Sequence, residues 1–328
     1  MGAGTFLIDP DQGAGHNYHI LLDWEAAQQS NLTGTGACIA QCTSSSGTAD
    51  TTPFIIDGWT TTESDYIEII AYSGDEAVKT GIDTSRYRLH ITANDNHSID
   101  ILEDWVHVRN LQFKVTQGVN TNVASILYFE SSSANSTCKV DSCYFQVVGT
   151  DGSSKKSAIG VADENFTVKI YNCIFYGNLF GRFTAWVNSG VINIYNCSAR
   201  GFGYAANSIY IFAGTLSVVN TAVFNNNTNN FGAGVSVDHC ASDTDTGTNN
   251  VVESGGGADW TDDFVDAANG DFTLKSTSNL VGSGTDDPGS GLYSDDIDGV
   301  ARTSTWDVGA DEYVAVITTL SVVASECE

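Results

Sequence analysis

Val140-Asp141-Ser142-Cys143-Tyr144-Phe145 returns further along the chain as Ile170-Tyr171-Asn172-Cys173-Ile174-Phe175, and the reading of this stretch decides the fold. The same pattern precedes it as Val108-Arg109-Asn110-Leu111-Gln112-Phe113. It follows as Ile194-Tyr195-Asn196-Cys197, Val218-Val219-Asn220-Thr221 and Val237-Asp238-His239-Cys240. Equivalent positions fall at 110, 142, 172, 196, 220 and 239, separated by 32, 30, 24, 24 and 19 residues. One coil of a β-solenoid uses roughly 20 to 30 residues for three short strands and three turns, and extra residues bulge at a turn without shifting the register. Unequal intervals therefore point to stacked coils rather than a fixed-length helical repeat.

Within each repeat a β-branched residue points inward and Asn or its substitute follows at a bend, where left-handed backbone is tolerated. Coils stacked about 4.8 Å apart are expected to bring the Asn amides into a hydrogen-bonded ladder. Cys143, Cys173, Cys197 and Cys240 come one residue after the bend, with Leu111 and Thr221 in the same column. A buried column of small side chains is expected. Thiols stacked in parallel do not present a disulfide dihedral, so free thiols are expected there. Cys38 and Cys42 share one strand face and need not bond, and Cys138 with Cys143 is the first pair to test for a bridge.

The bulk composition agrees with an all-β chain. Among 328 residues there are 33 Gly and 3 Pro, and 41% are hydrophobic, as expected for many short strands joined by tight turns. Thirteen Lys and Arg against 40 Asp and Glu give a formal charge of −27, which argues against nucleic acid and anionic membrane as partners. No stretch approaches the roughly 18 apolar residues of a membrane span. The opening Met1-Gly2-Ala3-Gly4-Thr5-Phe6 lacks the basic-then-apolar order of a signal peptide, and assembly in a cytosol is expected.

Three regions are expected: an N-terminal segment with a capping helix (1–36), a parallel β-helix (37–250), and an irregular C-terminal cap with a terminal strand (251–328). The apolar spacing over Tyr18–Gln29 predicts the helix. Strands are predicted at Ala37–Cys42, Pro53–Ile56, Tyr66–Tyr72 and Arg86–Thr92, and clear coils from about 99 to 242. The apolar stretch Val314–Ala324 predicts a terminal strand able to meet a partner or another copy of the chain.

The coils, the Tyr18…Asp23-Trp24-Glu25 segment and the closing Asp296-Ile297-Asp298-Gly299…Arg302…Trp306-Asp307-Val308-Gly309-Ala310-Asp311-Glu312-Tyr313 together resemble right-handed parallel β-helix proteins of the pectin-lyase-like superfamily. They are most similar to members encoded by tailed phages and marine viruses. The resemblance implies either a polysaccharide lyase or hydrolase, or a virion appendage, and fold alone does not choose.

A pectate-lyase-like site needs carboxylates holding Ca²⁺ and a basic residue to remove a proton, yet no middle-coil cation sits in an Arg-x-x-Lys arrangement beside an acidic cluster. The Asn-Thr-Asp, Asp-Asp, Gly-His-Gly and Arg-Ile-Lys set of a polygalacturonase-like hydrolase is absent. A different carboxylate pair, about 5 to 9.5 Å apart, would serve glycoside hydrolysis, with Asp163 and Glu164, Glu103 and Asp104, or Glu130 as candidates. His90, His97 and His107 lack metal-ligand spacing. Asp295, Asp296, Asp298 and Asp307 form a candidate Ca²⁺ group without a recognisable loop register; no other cofactor is expected. Tyr171, Trp186, Tyr195 and Tyr204 are candidates for stacking on sugar rings.

The function expected from these features is a structural component of a phage-like virus particle, such as a capsid decoration, head fibre or tail appendage, exposed on its outside. Its partners would be other virion proteins or copies of itself, and cell-surface polysaccharide if it is also an adhesin. The alternatives are a polysaccharide depolymerase and a self-assembling extracellular protein.

Overall fold

Six residues hold the repeat together through one unusual backbone state. The φ angle is +58° at Asn110, +49° at Ser142, +54° at Asn172, +44° at Asn196, +51° at Asn220 and +48° at His239. Left-handed geometry costs an ordinary L-residue roughly 1–2 kcal/mol, and the short polar side chain of Asn lowers that cost. Each of these residues turns the chain sharply from one sheet to the next.

The computed structural model describes residues 2–12, 15–93, 97–117, 123–130, 136–149, 155–164, 166–177, 182–187, 189–200, 209–211, 213–224, 230–242, 248–252, 259–303 and 305–315. Over these the chain is a right-handed parallel β-helix. Three parallel sheets of nine, eight and six strands form its walls. One coil runs through Val106–Arg109, the bend, Gln112–Gln117 and Val123–Phe129, and then Ser136–Asp141 pairs back in parallel on the first strand, Val140 beside Val108. The predicted early strands are observed at Cys38–Cys42, Phe54–Ile56, Ile67–Ala71 and Arg88–Ala93.

Stacking repeats the same contact in every coil. Val108, Val140, Ile170, Ile194 and Val218 follow one another in register and are fully buried. Phe113, Phe145 and Phe175 form an aromatic column with centroids 4.9 and 5.0 Å apart and planes within 8°. Face-parallel rings at this spacing follow from the coil rise.

The cysteine column is buried, and its thiols are free, as are those of Cys38, Cys42 and Cys138. It has a hydrogen-bonding role. The residue after each bend cannot use the sheet ladder, so its N–H is met from the next coil: Cys143 N–H donates to Cys173 Sγ (3.5 Å), Cys173 N–H to Cys197 Sγ (3.4 Å) and Cys197 N–H to Thr221 Oγ1 (3.3 Å). Each of these side chains donates in turn to the carbonyl two residues before it, as Cys173 does to Tyr171 at 3.2 Å. Cys173→Ala is therefore expected to cost about 1–3 kcal/mol by orphaning a buried donor. Cys173→Ser, which copies Thr221, is expected to cost less, and urea unfolding of both variants checks the difference.

The N-terminal helix is observed at Leu21–Gln28. It starts later than Tyr18 because Tyr18 bridges to Ile8. Leu21 N–H donates to the buried Asp50 carboxylate (3.0 Å), which stands in for a helix cap. Trp24 is buried and lies 5.8 Å from Trp59, closing the first coils. An additional strand, Gly4–Ile8, precedes the helix and pairs with Cys38–Cys42. Its five residues show no alternation that would have marked it.

Residues 259–313 turn back along the flank of the stack. On the outer face of the eight-stranded sheet, Tyr144, Ile174, Ala222 and Phe224 meet Trp260, Phe264, Phe272 and Leu280 in a second core. Phe224 stacks on Trp260 at 3.9 Å and on Phe264 at 5.5 Å. This sheet is thus covered on both faces, which explains the unbroken apolar pairs Tyr144-Phe145 and Ile174-Phe175. The predicted terminal strand Val314–Ala324 lies, from residue 316, outside the described residues.

The Asn column faces this returning segment. One amide–amide bond is present among the described residues, Asn220 to Asn196 at 3.3 Å. Three amides of the column bind the C-terminal backbone: Asn172 Nδ2 donates to Asp295 O (2.9 Å), Asn196 Nδ2 to Asp307 O (2.9 Å) and Asn220 Nδ2 to Thr285 O (2.7 Å). The expected continuous ladder is replaced because an adjacent chain supplies acceptors of its own. Gly309, at φ +117° and donating to Asn220 O (2.8 Å), passes so close that an added Cβ would stand 2.9 Å from Ser198 Oγ. The closing sequence motif is therefore the clamp that holds the flank.

Candidate functional site

A polar cleft of about 610 Å³ opens where the flank segment meets the early coils. In later coils two residues turn the chain between the first two sheets, but residues 72–87 take that place between Ile67–Ala71 and Arg88–Ala93. Their inner part, 76–80 with Arg86, forms one wall. The bends at Arg109-Asn110 and Asp141-Ser142 form the floor, and the turn 295–299 the other wall.

Arg109 and Asp141 take equivalent places in neighbouring coils, and so stack in register. Arg109 Nε bonds Asp141 (3.2 Å) and its Nη1 bonds Glu68 one coil earlier (3.3 Å), while 42% of the side chain stays exposed. Burial raises the Asp141 carboxyl, against the pull of Arg109 and the Ser142 hydroxyl, which donates to it at 2.8 Å. Arg86 pairs with Asp83 (3.1 Å) and donates to Glu76 O (2.6 Å). Lys79 pairs with Asp298 (3.0 Å) and Asp311 (2.6 Å), tying the wall to the flank. Each cation of the cleft thus already holds a carboxylate. Sequence reasoning passed over this set, although the alternation Val-Arg-Asn and Val-Asp-Ser at one repeat position was its signal.

The residues singled out from sequence are dispersed. Tyr171 is 5% exposed and stacked on Tyr293 at 4.8 Å, and Tyr195 lies 6.5 Å from the same ring. Tyr293 in turn meets Trp306 at 5.3 Å, so these tyrosines bind the flank segment. Trp186 lies on the strand Arg182–Val187 with its side chain outside the described residues, and Tyr204 is outside them altogether.

Among the described residues no three His, Cys, Asp or Glu gather as metal ligands. Asp296 accepts N–H groups from Asp298 (2.9 Å), Val300 (2.8 Å) and Glu312 (3.0 Å), and Asp307 from Gly282 (2.7 Å) and Tyr313 (2.6 Å). Asp298 is engaged by Lys79, and Asp295 stands exposed at the cleft rim. Two of the four carboxylates therefore build turns.

The histidines are equally separate. His90 meets Thr116 (3.0 Å), and His97 stacks on Tyr128 at 3.8 Å. His107 lies against Tyr66 with ring centroids 4.3 Å apart and planes tilted by 33°, and burial, then the Lys139 and Arg109 charges, hold its imidazole down to about 3.

Burial raises several carboxyls, Asp100 and Glu103 among them. Burial raises Asp100, on the outer face of the six-stranded sheet, to about 6, with Glu130 adding to the shift, and burial raises Glu103 to about 7. In an unfolded chain such groups titrate near 4. Between those values the folded protein holds more protons than the unfolded chain, so stability falls as pH rises through that window. Asp65 and Asp83, lowered by the hydrogen bonds they accept, act oppositely and lose stability in more acidic solution. Melting temperature is expected to be higher near pH 5 than near pH 8, and the drop should be smaller in Asp100→Asn. A melting temperature that climbs from pH 5 to pH 8 would contradict this.

No protein-family model matches the sequence, and no curated protein matches it. Among solved structures, the crystal structure of pectate lyase Pel9A is similar at 12% identity and a TM-score of 0.32, covering 95% of this chain and 97% of that one. At that level the fold assignment rests on the strand pairing itself.

Proposed function

We propose that this chain is a non-catalytic structural component of a phage-like virus particle, carried on its outside as a decoration, fibre or tail appendage and contacting glycan on a host surface. The observation that carries the reading is the internal pairing of Arg109, Arg86 and Lys79. Cations so engaged hold architecture together, and none of the three stands unpaired in the cleft as a proton-abstracting base would. The charge of −27 keeps a densely displayed protein soluble. The end motifs, similar to those of viral β-helix proteins, supply the particle. Its neighbours would be other virion proteins or copies of itself. Immunogold electron microscopy and mass spectrometry of particles purified from the native source test this: labelled particle exteriors are expected, and protein recovered only in the free fraction overturns it.

A second reading, a polysaccharide-cleaving enzyme, is favoured by Asp100, whose buried Oδ1 has no hydrogen-bond partner and whose carboxyl, raised by burial, is protonated in mildly acidic solution. That is the state a general acid needs. Release of reducing ends from polysaccharide, abolished by Asp100→Asn, would establish it in place of the first.

A further inference from the structure

We infer that the cleft between residues 76–86 and the 295–299 turn binds an uncharged sugar residue and discriminates against uronate or sulfate-bearing ones. This rests on the glycan-contact part of the function proposed above and names the ligand class.

The unengaged groups of the cleft suit a polyhydroxylated molecule. Among the described residues the Asp295 carboxylate, the Asn110 amide and the Thr80 hydroxyl make no side-chain hydrogen bond, and all three line the cavity. Arg109 has five N–H donors, of which the bonds to Asp141 and Glu68 engage two. A carboxylate that accepts two hydroxyls beside a guanidinium and an amide that donate matches a vicinal diol. Half-buried Val78 adds an apolar contact for the C–H face of a pyranose, which an inorganic ion would not use.

Charge decides the class of sugar. Three cations and five carboxylates line the cleft, and the cations are each paired. The excess is negative and lies within a Debye length of any occupant, so salt near physiological strength does not screen it fully. A carboxylated or sulfated sugar would be repelled, whereas hydroxyls are indifferent to the sign of the field.

The experiment titrates the full chain by calorimetry with neutral gluco-, galacto- and manno-oligosaccharides, and in parallel with oligogalacturonate and sulfated galactan. At least one neutral oligosaccharide is expected to bind, with the anionic ones weaker. Thr80→Trp fills the cleft without removing an internal bond and is expected to abolish binding. Asp295→Asn, which leaves the backbone bonds of Asp295 in place, is expected to weaken it about ten-fold. Unchanged melting curves show that both variants fold. No neutral ligand, tighter binding of an anionic sugar, or binding that survives Thr80→Trp overturns the inference. Immunogold labelling of particles, scored separately, shows whether the particle reading fails with it.

Discussion

Arg302→Ala is expected to lower the unfolding free energy by about 3–5 kcal/mol, the usual cost of leaving one member of a buried ion pair alone. The Arg302 side chain has no exposed surface and bonds Glu312 at 3.2 Å, with Glu312 itself 4% exposed. Its guanidinium also donates to Asn172 Oδ1 (3.0 Å) and to the carbonyls of Asp295 (3.1 Å), Gly309 (3.2 Å) and Ala310 (3.3 Å). Removing it leaves the Glu312 charge without a counter-ion, held by the N–H groups of Thr303 and Asp307, and strips a donor from several backbone acceptors and the Asn172 amide together. Arg302→Lys should rescue little, because an ammonium cannot reproduce the planar fork. Urea unfolding measures the loss, and limited proteolysis locates it: cleavage is expected first within 280–313, with the coils still protected. A loss below about 0.5 kcal/mol, the range of ordinary surface changes, would mean that the clamp does not hold the flank.

The second large effect belongs to the interior. Phe145→Ala is expected to cost about 3–5 kcal/mol, because a fully buried ring sandwiched between Phe113 and Phe175 leaves a cavity that rigid neighbouring coils cannot close. Its neighbour Tyr144 points the other way, into the second core, where its hydroxyl donates to Gly270 O at 3.0 Å. Tyr144→Phe therefore loses one hydrogen bond, about 1 kcal/mol, and should loosen the flank alone. Hydrogen exchange separates the two: amides of the central coils are expected to lose protection in Phe145→Ala and to keep it in Tyr144→Phe. Equal losses in both variants would contradict the division into two cores.

The coils were legible because each one repeats the same demand. A left-handed bend selects Asn, Ser or His, the next residue is Cys or Thr in five of the six coils, and the inward position is β-branched in all six; that many returns are hard to miss. The doubly buried sheet also left a mark in the apolar pairs Tyr144-Phe145 and Ile174-Phe175, though it was not read as one. The aromatic candidates misdirected attention for a physical reason. Tyr171 and Tyr195 do lie on an outward column, but alternation along a strand separates inside from outside and says nothing of what covers the outside. Here Tyr293 covers it.

By itself, the sequence determined the all-β class, the stacked coils, their bends and the buried free thiols. Those features arise from contacts between like residues one coil apart, so the same chemistry recurs at a readable interval. Only the tertiary structure decided that residues 259–313 cover the flank, that the closing motif is a clamp, and that Arg109, Asp141, Lys79 and Asp298 meet around a cleft. These are single pairings between unlike and distant segments, such as Tyr144 with Gly270, 126 residues apart. A contact made once leaves no periodicity in the chain, and packing alone selects it.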